Sequence, residues 1–114
     1  MKKFVAIFNI PVAALDAWMT TIDEATRKQQ TNEMMQAWNS WMEEHKGQII
    51  DKGLPLGKTK RLTSEETRDT RNDMMWYLVA EADSHDDAAT LFAGHPHLQI
   101  PSSYIEIMDA SRPM

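Results

Sequence analysis

At 114 residues the chain suits one domain with its own core, and 42% hydrophobic with 25% charged residues is the make-up of an ordinary globular protein. With no cysteine, disulfides and thiolate metal sites are excluded, which fits a reducing cytoplasm. A formal charge of −5, with "KTKR" at 58–61 as the sole basic cluster, gives nucleic-acid binding no footing.

The opening "MKKFVAIFNIP" reads as a strand rather than a signal sequence, because its apolar run spans about six residues where a signal core needs roughly 7–15. No run approaches the roughly 20 apolar residues of a membrane span. "PVAALDAWMTTI", 11–22, starts a helix at proline and repeats Leu15, Trp18, Met19 and Ile22 at helical spacing. The polar stretch "DEATRKQQTN" separates it from a stronger helix, striped by Met34, Trp38, Trp41, Met42 and His45 and closed by Gly47. That stripe predicts core rather than a ligand cage.

"QIIDKG" and "GKTKRLT" then read as short strands joined by "GLPLG", and "SEETRDTRND" as a charged loop. "MMWYLVAEA", 74–82, is the clearest strand. Ser84, with Asp87 three residues on, caps a helix over "AATLFA", which Gly94 and Pro96 end; "SYIEIM" is the last strand. The order β-α-β-β-α-β, with its first helical segment broken in two, predicts a single α+β domain over 1–114, a ferredoxin-like sandwich with an antiparallel sheet and its helices on one face.

The second face of that sheet should not meet water. Val5 and Ile7 oppose Phe4, Ala6 and Phe8, residues 74–80 are apolar on both sides, and Ile105 and Ile107 oppose Tyr104, Glu106 and Met108. Half-solvated strands would alternate apolar and polar. Several hundred Å² of apolar surface is about the size at which a patch implies a partner. The expected cover is a second copy, face to face, in a homodimer.

For chemistry, His95 and His97 stand out in "AGHPHLQIPSSYIEI". Two histidines cannot close a metal site, since zinc takes three or four ligands and neither His45 nor His85 lies at a metal-binding spacing; no metal and no cofactor are expected. One reading leaves His95 solvent-facing just past Gly94 and His97 bonded to the backbone in a turn. The other pairs one of them with Glu106, whose carboxyl would sit in the apolar dimer interior with a raised pKa. That makes His95, His97 and Glu106 the candidate acid/base or anchoring groups. Tyr104, on the same strand face, and Asp51, Lys58 and Lys60 at the hairpin are candidate ligand contacts.

With its elements in this order the chain resembles the YCII-related family of small dimeric α+β barrel proteins, in the branch lacking the "DGPF" motif. The resemblance rests on "KFVAIF", "AWNSWMEEHKGQIIDKGLPLG", "WYLVAEADSHDDAATLF", "HPHL" and "YIEIMDA", which span nearly the whole chain. It implies a ferredoxin-like protomer, an intersheet dimer and a pocket between sheet and helices. The family's enzyme-like branch carries a histidine where this chain has Met34 to Gln36, and an aspartate before proline where it has His95. The expected function is small-molecule binding, with or without catalysis, in a pocket near the sheet and dimer interface. A non-catalytic homodimeric interaction or scaffold protein is the alternative.

Overall fold

Strict alternation in the first strand, β1 (Lys2–Asn9), sets the architecture. Phe4, Ala6 and Phe8 are fully buried, while Val5 and Ile7 on the opposite side are only partly so. A computed structural model describes residues 1–111. After β1 come α1 (Val12–Thr21), α2 (Glu24–Glu44), β2 (Ile49–Asp51), β3 (Thr59–Leu62), β4 (Thr67–Thr70) and β5 (Met74–Ala82). Then follow α3 (His85–Phe92), a 3-10 turn (Pro96–Gln99) and β6 (Tyr104–Asp109).

The main sheet has the order β2-β5-β1-β6 and its pairings are antiparallel, which is the ferredoxin-like arrangement expected from the element order. One layer of core lies on its helix side, where Ala6, Phe8, Leu78 and Ala80 meet Trp41 from α2 and Phe92 from α3. Trp38 and Met42 flank it, so the predicted apolar stripe of the long helix is core. A second cluster joins Phe4, Ala82 and Ala88 under α3.

Two local expectations are corrected. The polar stretch after α1 is the first half of α2, because Asp23 caps that helix, its carboxylate accepting from Thr26 N–H at 2.7 Å. Half of the "charged loop" is β4, which pairs with β3 in a hairpin apart from the main sheet. It was illegible because both faces are wet and carry no apolar alternation. Its turn is closed by Thr63, whose N–H reaches Glu66 O at 2.8 Å, and its rungs include a Lys60–Asp69 ion pair at 2.7 Å. The end of α3 falls where Gly94 and Pro96 place it, with Ala93 as the cap in ordinary right-handed geometry.

Gly53 is where glycine is required. Its φ is +71°, and a Cβ there would lie 1.5 Å from the carbonyl oxygen of Tyr77. This close approach lets Trp76 Nε1–H donate to Lys52 O at 2.9 Å, tying the β2–β3 connection to the sheet.

Candidate functional site

His95 and His97 are 2% and 3% exposed, so the solvent-facing reading of His95 is overturned. The segment after α3 turns inward as a 3-10 turn and delivers both rings onto the helix side of the sheet. His95 packs against Trp38, Trp41 and Phe8 with ring centroids 4.5, 4.5 and 4.7 Å away. His97 meets Phe8 edge-on at 5.3 Å.

Their hydrogen bonds fix both tautomers. The backbone N–H of His97 donates to Nδ1 of His95 at 3.0 Å, so Nδ1 is bare and the proton of the neutral ring sits on Nε2. That Nε2 is buried with no hydrogen-bond partner, among aromatic faces. His97 Nε2 lies 2.9 Å from the carbonyl of the buried Asn9, an acceptor only, so it too carries the proton. Burial, with the nearby charges of His97 and His45, pushes the His95 pKa down to about 3. Burial also lowers that of His97, partly opposed by its bond to Asn9. Both rings are therefore neutral struts near neutral pH: His97 pins the turn to β1, and Ser103 Oγ–H donates to its carbonyl at 2.8 Å.

Glu106 is elsewhere. It pairs in register with Ile7, whereas Phe8, which touches both histidines, pairs with Ile105. The sheet itself thus separates Glu106 from His95 and His97, and the protomer does not bring the three together. On Glu106's face Tyr104 O–H donates to Asp73 Oδ2 at 2.7 Å. That bond, with the nearby charges of Asp73 and Glu106, pushes the phenol up to about 12. Asp73 also accepts from Val12 N–H at 3.2 Å, so β6 and the start of α1 share one carboxylate. Asp51 accepts from Gly53 N–H at 2.8 Å and shapes its own turn. Lys58 and Lys60 line a groove of about 930 Å³ between the hairpin base and Leu15, apart from Asp51. Arg71 bridges that groove to Asp16 of α1 through two bonds of 2.8 and 3.0 Å.

Sequence reasoning missed the most ligand-like space. A cavity of about 850 Å³ opens between α1, the first half of α2 and residues 99–102. Trp18, Met34, Met35, Met75 and Ile100 give it apolar walls, and Glu33 is the one ionisable side chain among its lining residues. Two backbone irregularities shape it. Between Phe8 and Asn9 the register of β1 skips one residue of β5, making Met75 the extra residue of a bulge that turns into the cavity wall. Residues 100–103 form a β-turn closed by Ser103 N–H to Ile100 O at 3.1 Å, with Pro101 second and Ser102 third at φ +68°. The signals were present in the sequence, as Pro-Ser-Ser and the excess of methionine, but neither announces a cavity.

Among the described residues no group of three or more histidine, cysteine, aspartate or glutamate side chains could hold a metal ion, and no helix is long and apolar enough to cross a membrane.

The fold is a mixed α+β architecture, an antiparallel sheet with its helices packed against it. Among solved structures it is similar to 5-chloro-2-hydroxyhydroquinone dehydrochlorinase (TftG) from Burkholderia phenoliruptrix, in its complex with 2,5-dihydroxybenzoquinone. The likeness covers 93% of this chain and 91% of that one at 15% identity and a TM-score of 0.50, a likeness of fold. No family model matches the chain, and no curated protein does.

Proposed function

We propose that the protein binds a small, flat, largely apolar molecule in the cavity between α1, α2 and the 100–103 turn. The cavity carries this reading. About 850 Å³ falls in the range of small-molecule sites, and apolar walls with a few polar groups are their usual chemistry. A structural neighbour that holds a six-membered quinone ring supports a ligand of that size. We further place the chain, as a one-domain cytoplasmic protein, in the YCII-related group. Met34 and Met35 then stand in the cavity wall where the group's enzyme-like branch has its histidine. His95 and His97 act by holding the adjacent turn, and neither a metal nor a cofactor enters the proposal.

The proposal includes a homodimer through the open sheet face. Val5, Ile7, Tyr77 and Val79 are only half-buried there, and Tyr104 and Met108 are 37% and 48% exposed. In that assembly Tyr104 and Glu106 become interface groups, while Asp51, Lys58 and Lys60 stay at the periphery. The same apolar face favours a second reading, a homodimeric scaffold in which assembly is the function.

Thermal-shift screening of small ring compounds, followed by binding measurements on Ala14→Trp, separates the two. Ala14 lines the cavity, so a hit lost in that variant supports the binding reading. A library that leaves the melting temperature unmoved, or hits indifferent to Ala14→Trp, would favour the scaffold.

A further inference from the structure

The charge around the cavity is one-sided. Among the described residues no lysine, arginine or histidine lines it, and Glu33 supplies a carboxylate. The cations nearest along α2 are Lys28, which is exposed and not among the lining residues, and Arg27, whose guanidinium donates to the carbonyls of Met19 and Ile22, closing the C-terminal end of α1. Glu33 Oε1 accepts from Gln29 at 3.2 Å, a bond along the helix surface to an uncharged group, and it forms no ion pair with a described residue. The indole of Trp18 is fixed by donating from Nε1 to Gln30 Oε1 at 2.7 Å, which holds an electron-rich ring in the wall. Indole faces and thioether sulfurs both favour cations over anions. An overall charge of −5 adds a field of the same sign.

Resting on the binding reading above, we propose that the ligand of this cavity is an aromatic ammonium compound: a flat apolar body lying against Trp18 and the methionines, with a protonated amine toward Glu33. Carboxylates and phenolates of the same shape are disfavoured, because among the described residues no cation lines the wall to offset an anion that has left water. Ser102 places an exposed hydroxyl in the same wall, at a left-handed position that glycine would occupy without strain.

The test is a shape-matched series of naphthalene-methylammonium, naphthalene-methanol and naphthoate, titrated at low ionic strength and followed by tryptophan fluorescence. The expected order of affinity is ammonium, alcohol, carboxylate, spanning about tenfold, the scale of a partly exposed charge contact plus a cation–π contact. Glu33→Gln should lower ammonium affinity to that of the alcohol and leave the alcohol unchanged. Glu33→Lys should invert the order. A carboxylate binding wild type as tightly as the ammonium, or an ammonium-to-alcohol ratio unmoved by Glu33→Gln, overturns this proposal while leaving the cavity as a binding site. If all three ligands fail to bind, or bind Ala14→Trp equally well, the binding reading falls and this one with it.

Discussion

The backbone N–H of His97 donates to Nδ1 of His95 across 3.0 Å, a bond that exists only while His95 is unprotonated at that nitrogen. Protonating His95 would put two N–H groups face to face and place a charge among Phe8, Trp38 and Trp41. The folded pKa of about 3 lies below the unfolded value near 6.5, so the unfolded chain binds the proton first. The contribution is fully present above about pH 6.5 and is lost as pH falls toward 3, by up to about 1.4 kcal/mol per pH unit. His97, also lowered, adds in the same direction. Urea denaturation between pH 7 and 5.5, above the range in which ordinary carboxylates titrate, should show this slope, and His95→Phe should reduce it. A flat wild-type profile in that window would refute the buried neutral pair.

Ser102 sits third in a turn whose second residue is Pro101, where a positive φ is cheap only for glycine. Ser102→Gly should therefore raise stability by up to about 1 kcal/mol, read as an increased urea midpoint at constant slope. It should also weaken any ligand that uses the hydroxyl. No gain in stability would mean the surrounding turn already relieves the strain.

Gly53→Ala offers the opposite sign. The new methyl would collide with the backbone oxygen of Tyr77, which cannot rotate away, at a backbone angle alanine rarely adopts. Destabilisation of more than about 2 kcal/mol is expected, with exposure of Trp76 readable as a red shift in fluorescence.

Ser84 Oγ accepts from Asp87 N–H at 3.0 Å and satisfies one donor of the first turn of α3. Ser84→Ala should cost about 1 kcal/mol, whereas Ser84→Asp should restore most of it. Thermal unfolding by circular dichroism of the three proteins checks both.

The open sheet face makes a prediction about assembly. Val5 faces away from the core and pairs in register with Val79 and Met108. Val5→Glu should leave the far-ultraviolet spectrum intact and turn a dimer into a monomer in light scattering at micromolar concentration. A wild-type monomer under those conditions would remove the homodimer from the proposal.

The sheet was legible because its strands carry a strong period-two pattern: Phe4, Ala6 and Phe8 announce a buried side whatever their neighbours do. The stripe from Met34 to His45 was legible for the same reason at a period of 3.6. What failed was local chemistry without an apolar signature. Thr67–Thr70 is wet on both faces, so only its partner strand reveals it. The site failed for a different reason. The parity of β6 placed Glu106 correctly on the open side, but nothing in "GHPHL" says that the following turn folds inward, and it is that turn which sends the histidines to the other side of the sheet. A cavity assembled from α1, α2, a bulge and a turn has no linear motif to read.

The central strand of the sheet has a consequence for how the molecule comes into being. β1 emerges first, yet its ladders run to β5 and β6, joining Lys2 to Ala82 and Phe4 to both Ala80 and Asp109. During synthesis this strand must therefore wait, unpaired, until most of the described chain has followed it. Such long loop closures slow folding and leave hydrophobic surface in the open meanwhile. Until β5 and β6 arrive, "KFVAIF" has neither of its ladder partners, and the same pairing that makes β1 an interior strand makes it the last of the early elements to be covered.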